Sequence, residues 1–222
     1  MSSNNITMGT VSQNINILKG YNMLLYFAGS MITFEPSEEC VADFWNNGII
    51  KNLPVSSSNP NFVKAASQLR ESYADKTICG KILKDDYIRL FARDHMTLAP
   101  VYESLYMRNG SSNTGKHSAD VTEFYNSYGW VSKFKGKIKD DHLGIEILFL
   151  TRLIDKYIVL DDESCRIEMR KEIQRFIEQH ILSWVEEWNK RIQIHSNTIC
   201  FKAVGTLILA CSEDLLILFS RC

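Results

Sequence analysis

The sequence predicts an all-α protein, a single-domain irregular bundle of many helices. Three observations predict it. Four prolines and eleven glycines in 222 residues are too few for a turn-rich all-β chain and suit long helices. Apolar residues recur at helical spacing along most of the chain, with no sustained strand-like alternation and no internal repeat. A composition 45% hydrophobic and 23% charged over this length is enough for one sizeable core.

Residues 1–13 are polar and read as a flexible N-terminus, which leaves 14–222 for the helical domain. Ile15, Ile17, Leu18, Tyr21, Leu24, Leu25 and Ala28 fall at helical spacing in a first helix that runs to Ile32. Pro36, followed by Glu38 and Glu39, starts a second helix that ends near Gly48. Pro54, three serines and Pro60 make Leu53 to Asn61 a loop. Two helices follow, over Phe62 to Tyr73 and Thr77 to Ala92. The periodicity breaks around Pro100, and Asn109 to His117 is a polar Gly/Ser/Asn-rich loop. Ser118 caps a short helix through Tyr128, stopped by Gly129. Lys133 to Lys139 is basic and irregular, with a short extended piece as an option at Lys135 to Ile138. Asp140 or Asp141 caps a strongly apolar helix to Val159. Asp161 to Ser164 opens another helical run, bent near His180 and ending around His195, and Asn197 begins the last helix.

Composition also bounds function. Lys+Arg 25 against Asp+Glu 26 gives a net charge of −1, which argues against general nucleic-acid binding, since that needs a concentrated phosphate-neutralising surface. The six cysteines form no C-x-x-C pair and no zinc-ligand spacing with histidine, and they read as reduced thiols in a reducing compartment. The N-terminus lacks a basic segment followed by an apolar run, so no secretory signal is expected there. The most apolar stretch, Ile199 to Phe219, is interrupted by Lys202, Ser212, Glu213 and Asp214. Charges there are costly in a bilayer, so a buried terminal helix is expected and no stable membrane insertion.

The search for chemistry yields no catalytic constellation. There is no G-x-S-x-G elbow and no H-E-x-x-H pair, and the five histidines are scattered singly. An enzyme, a metal site and a cofactor are therefore not expected. Gly110 to Lys116 has the G-x-x-x-x-G-K frame of a phosphate-binding loop. His117 stands where the magnesium-binding hydroxyl belongs, and no βαβ unit surrounds the loop, so a surface loop is the better reading. Asp141-His142 reads either as a helix cap or as a carboxylate–imidazole pair facing a cationic peptide, and the two roles are compatible. Glu146 shares a helix face with His142 and is either a surface position or an inward group paired with Arg89, Arg93 or Arg152. Pro100, Tyr102, Glu103, Ser104 and Tyr106 form a proline–aromatic–polar cluster that suits a peptide-binding rim or a structural corner. His180, Trp184 and Trp188 recur every four residues and read as an aromatic core stripe.

Three of these segments carry a family resemblance. Leu90-Phe91 followed by Pro100, Ser104 and Tyr106, then Asp141-His142 with Glu146 and Phe149, then His180-Ile181-Leu182-Ser183-Trp184 resemble, in this order, the TorD/DmsD family of chaperones. The resemblance runs from about Ile15 to Phe219. The chain departs from the family pattern at Asp140, where a proline is frequent, at Ala99, and at Ala92 and Arg93, where a glycine is frequent. These departures bear on the subgroup rather than on the fold.

The resemblance implies a TorD-like all-helical, cytoplasmic chaperone. Such a protein binds the twin-arginine signal peptide of a molybdopterin-dependent reductase, or the apo-enzyme itself, and holds it for cofactor insertion before export. It also implies a monomer or a domain-swapped dimer, with 109–117 as the hinge. In the mechanism this suggests, an apolar helical segment of the signal lies in a groove walled by Pro100, Tyr102 and Tyr106, with Ser104 beside them. Asp141, Glu103 or Glu146 meets the arginines, and His142 orients the neighbouring carboxylate. The alternatives are a helical adaptor without signal specificity and a nucleotide-dependent protein using the 110–117 loop.

Overall fold

The computed structural model describes residues 3–37, 39, 52–74, 80–92, 97–107 and 114–220. Its helices are α1 (Ser3–Thr33), α2 (Pro60–Ala74), α3 (Gly80–Tyr87), α4 (Thr114–Ser127), α5 (Leu143–Val159), α6 (Glu163–Phe176), α7 (Val185–His195) and α8 (Ile199–Ser220). Helix α3 runs on into a π-helical turn at Ile88–Ala92, α6 into another at Ile177–Leu182, and a 3₁₀ turn spans Glu103–Leu105. No strand occurs among the described residues, and the all-α expectation holds.

The most apolar stretch becomes the axis of the bundle. Helix α8 packs against α2, α1, α7 and α6, and Phe201, Val204, Leu207, Ile208, Cys211 and Leu215 are buried along it. It is long and apolar enough to cross a membrane, but most of its surface is already covered by its own protein. Its polar residues are used internally. Asp214 accepts a 2.8 Å hydrogen bond from the Tyr21 hydroxyl, and Asn59 donates to both Glu213 and Asp214, which ties the 52–59 loop onto the helix. Of the cysteines, Cys165, Cys200 and Cys211 are free thiols, and the other three lie outside the described residues.

Helices α1 and α5 form the second main contact, and it is close because glycines face it. A methyl group on Gly144 would fall 1.8 Å from the Thr33 hydroxyl oxygen, and one on Gly29 would press on Ile147 at 3.0 Å. Helix α4 lies against α5 and α6 through an aromatic cluster. Phe149 stands 4.7 Å from Tyr125 and 5.0 Å from Phe176, ring centre to ring centre, and Phe124 stands 5.1 Å from Phe176. Such edge-on and tilted pairs add to the burial of their area.

Several boundaries differ from the sequence reading. Residues 3–13, read as a flexible terminus, take helical backbone as the first turns of α1. Helix α4 starts at Thr114 rather than Ser118, so the second half of the expected 109–117 loop is helical. No proline stands in that run, and one glycine near a helix end is a small penalty. Residues 109–113 of the loop lie outside the described residues, as does nearly all of the helix expected after Pro36. The optional extended piece at Lys135 to Ile138 is a series of turns, with Gly136 at φ +81°. The last helix begins at Ile199, two residues after Asn197.

That late start is set by Asp86 at the end of α3. Its carboxylate accepts bonds from the Ser196 and Thr198 hydroxyls, both 2.8 Å, and from the Asn197 and Thr198 amides. Arg89 closes the group at 2.7 Å and also donates to the His195 carbonyl. Burial alone would push the Asp86 carboxyl up, but the bonds from Arg89, Ser196, Asn197 and Thr198 outweigh it and hold the group below the usual carboxylate range. Removing one partner of such a network strands the others in the interior. Asp86→Ala is therefore expected to lower the unfolding free energy by about 3–5 kcal/mol, read by urea denaturation. A loss too small to measure would contradict the role of Asp86 as the tie between α3 and α8.

Candidate functional site

The site begins where the chain leaves the first π turn. The Arg89 and Leu90 carbonyls accept hydrogen bonds from the Leu98 and Ala99 amides. The Ala99 carbonyl in turn accepts the indole N–H of Trp188, itself packed parallel to Phe91. This folds the chain back before Pro100. The next residues then pair with the segment ahead of α5. Leu143 donates to the Val101 carbonyl at 2.8 Å, and Glu103 donates to the Asp141 carbonyl at 2.9 Å. Tyr102 and His142 thus face each other as an isolated antiparallel bridge, their rings edge to face at 5.3 Å. Two segments forty residues apart are held together by backbone.

The bridge decides how α5 starts. His142, not Asp140 or Asp141, is its N-cap, and its Nδ1 accepts the Gly144 amide at 3.0 Å. Asp141 is unavailable as a cap because its backbone is committed to Glu103 and its carboxylate is turned to the Ser104 amide at 3.4 Å. Capping through Nδ1 needs an unprotonated ring nitrogen. Burial supplies that by pushing the His142 pKa down to about 4.

All eight residues singled out in the sequence meet at this junction or beside it. Glu103, Asp141, His142 and Glu146 are buried, while Pro100, Tyr102, Ser104 and Tyr106 are half-buried. Tyr106 packs on Trp184 at 5.1 Å, with the Arg191 guanidinium over its ring, and Lys139 lies over Tyr102. Three carboxylates are therefore gathered in the interior. Glu103 lies 3.2 Å from Nδ1 of His180 on the second π turn. Asp141 keeps one oxygen without a hydrogen-bond partner, and Glu146 has none of acceptable geometry on either oxygen. The Trp184 indole, which lies near Glu146, donates to the His180 carbonyl at 2.7 Å. Burial first, then the Glu103 and Asp141 charges, hold the Glu146 carboxyl well above the usual range.

Glu146 is an inward-facing group rather than a surface position, and neither described arginine offered for it is its partner. Arg89 is bound to Asp86, Arg152 is exposed, and Arg93 lies outside the described residues. Among the described residues no three His, Cys, Asp or Glu side chains are arranged to hold a metal ion.

An open groove of about 550 Å³ leads to this cluster. Glu103 and His180 line it, with Asp120, Glu123 and Phe124 of α4 on one side and Arg175 of α6 on the other. Arg175 is engaged with Glu172 at 2.6 Å and lies over the Phe124 ring. The apolar lining of this groove is Phe124 and Met107; Pro100, Tyr102 and Tyr106 do not line it, and of the three acids it is Glu103 that lines the opening. Sequence reasoning placed His180 and Trp184 in a core stripe. Both are buried, but His180 also carries the polar contact to Glu103. Asp120 and Glu123 gave no signal, since two acids on a short polar helix look like any solvated face.

Similarity to known proteins is consistent along the chain. A family model described as nitrate reductase delta subunit matches residues 58–190. Chaperone protein TorD of Psychrobacter sp. (strain PRwf-1) is 28% identical over 128 residues, which is 57% of this chain and 57% of that protein. Chaperone protein TorD of Vibrio atlanticus (strain LGP32) is 29% identical over 136 residues, 60% of this chain and 62% of that protein. The match thus spans less than two thirds of either relative. Chaperone protein TorD of Vibrio cholerae serotype O1 is 24% identical over 207 residues, 89% of this chain and 91% of that protein.

The buried acids make stability depend on pH in a definite direction. The folded value of Glu146 is raised above its ordinary 4.5, so its contribution is complete below that pH and is lost as pH rises through the folded value. Glu146→Gln mimics the protonated form. The melting temperature of the variant relative to the parent should therefore climb between pH 5 and pH 8. A difference that stays constant over that range would mean Glu146 is ionised in the folded chain.

Proposed function

This chain belongs to the TorD/DmsD family, to which the nitrate reductase delta subunit model corresponds, and on that premise we propose that it is a maturation chaperone for a molybdoenzyme. The chaperone acts in the cytoplasm, without catalysis. It recognises the twin-arginine signal peptide of its client and holds the client until its molybdopterin cofactor is in place. The observation that carries this reading is the junction itself. The two segments most characteristic of the family are clamped together by backbone bonds, and their acids gather behind a groove with Glu103 and His180 in its lining.

The groove suits a signal of that type in two respects. Asp120, Glu123 and Glu103 give it acidic character, and a guanidinium makes forked, charge-assisted bonds to carboxylates that an ammonium cannot match. Phe124, Met107 and the stems around them offer apolar contact for the hydrophobic stretch that follows the arginines. Asp141 and His142 act from the interior, fixing the Tyr102–Leu105 segment and the start of α5, so their part in recognition is to position Glu103. A helical adaptor that grips only the folded client has no use for an acid-lined groove backed by buried carboxylates.

Calorimetric titration tests this directly. A twin-arginine signal peptide should bind, its twin-lysine counterpart should bind about tenfold more weakly, and Asp120→Asn with Glu123→Gln should weaken the arginine peptide and flatten its salt dependence. Equal affinity for both peptides, or undiminished capture of a client lacking its signal, would contradict the reading.

A further inference from the structure

We propose that Glu103, Asp141 and Glu146 form a proton-linked arginine sensor: the free chain stores a proton among them, and a guanidinium that reaches Glu103 along the groove displaces it. The proposal rests on the signal-peptide reading above and adds to it how occupancy of the groove is coupled to pH.

The geometry creates the need for a stored proton. Three carboxylates occupy one buried region, each of them 1% exposed or less. The His180 ring is directed at Glu103 and the Ser104 amide at Asp141. Three other nearby donors are spent elsewhere. The Trp184 indole binds the His180 carbonyl, the Tyr125 hydroxyl binds the Asp140 carbonyl, and the Gly144 amide binds His142. Among the described residues, nearby cations are also engaged away from the trio: Lys139 over Tyr102, Arg191 over Tyr106, and Arg175 on Glu172. Among the described residues the groups that face Glu146 include Glu103 from the 3₁₀ turn, Asp141 from the bridge segment, Tyr125 from α4 and Trp184 ahead of α7, and none of these brings a positive charge. Among the described residues an ionised Glu146 faces no counter-charge, and neither of its oxygens has a hydrogen-bond partner of acceptable geometry, so the neutral acid is the state such burial favours.

A ligand changes that balance. A guanidinium seated on Glu103 brings a full positive charge to the edge of the trio and compensates a second carboxylate behind it. Glu146 then goes from carboxylic acid to carboxylate and the proton passes to solvent, with no other bond made or broken. Arginine itself stays charged throughout. Binding therefore tightens as pH rises, by up to about tenfold per pH unit while Glu146 is the group losing its proton. The chaperone would hold its client more loosely in a compartment or a moment of lower pH.

The test is calorimetry on the full chain with an acetylated, histidine-free twin-arginine peptide, in phosphate and in Tris at the same pH, repeated between pH 6 and pH 8. The expected result is an apparent enthalpy that differs between the buffers as release of about one proton requires, and a dissociation constant that falls with pH. Glu146→Gln should bind the peptide with no buffer dependence and a flat pH profile. Should that variant fail to fold, the two-buffer comparison on the parent chain decides alone. Peptide binding with a buffer-independent enthalpy overturns the sensor and leaves the signal-peptide reading standing. Proton release that persists in Glu146→Gln assigns the proton to another group and overturns it equally. Absence of peptide binding at every pH overturns both.

Discussion

Two backbone hydrogen bonds, Leu143 to Val101 and Glu103 to Asp141, are the constraint on which the rest of the site depends. Among the described residues they make one antiparallel bridge between helices, and each end is anchored by something rigid. On one side the chain is held by the Arg89 and Leu90 carbonyls and by the Trp188 indole on Ala99. On the other, His142 caps α5, and Gly144 allows that helix to lie directly on Thr33 of α1. A bridge with mobile ends would be lost to conformational entropy, since two bonds offset the ordering of only a residue or two. Here the helices have already paid for that order.

What the bridge enforces is unfavourable taken alone. It draws Glu103 and Asp141 inside and sets them beside Glu146, three acids sharing one weakly solvated space. The surrounding fold must absorb this. The aromatic cluster of Phe124, Tyr125, Phe149 and Phe176 buries large apolar area on the same helices. The Asp86 network fixes α3 against the start of α8. Two acidic centres contrast. Asp86 is surrounded by donors that hold its carboxyl below the usual range, whereas burial and the neighbouring acids push the Glu146 carboxyl well above it. A satisfied carboxylate of the first kind serves stability. A frustrated one of the second kind, next to an open groove, is the kind of group that a positively charged ligand relieves.

Much of this was legible in the sequence. The helical class followed from periodicity and from the scarcity of proline and glycine, and the apolar Ile199–Phe219 stretch, expected as a buried terminal helix, is buried along most of α8. Pro100, Tyr102, Glu103, Ser104, Tyr106, Asp141, His142 and Glu146 were gathered as one candidate site, and the structure brings them to one junction. What could not be read was orientation. Helix-cap statistics favour aspartate over histidine, so Asp141 looked like the cap, because nothing local reveals that its backbone is claimed by Glu103 from forty residues away. Glu146 read either as a surface position or as an inward group with an arginine partner, because those are the usual places of a lone acid on an apolar helix. The upward push on its carboxyl comes from burial and from two other acids arriving from separate segments, which is a property of the fold. Asp120 and Glu123 were invisible for the opposite reason: surface acids acquire meaning only once a groove is known to run between them.

The most direct test of this account is the carboxyl NMR titration of Glu146 in chain labelled at glutamate side-chain carbon, with Glu146→Gln used to assign the resonance. The account requires the Glu146 carboxyl of the free chain to titrate above its ordinary 4.5, and its titration to move down once a twin-arginine peptide is bound. A Glu146 resonance that titrates at its ordinary 4.5 in the free chain would contradict it, and would reduce the buried trio to a structural corner.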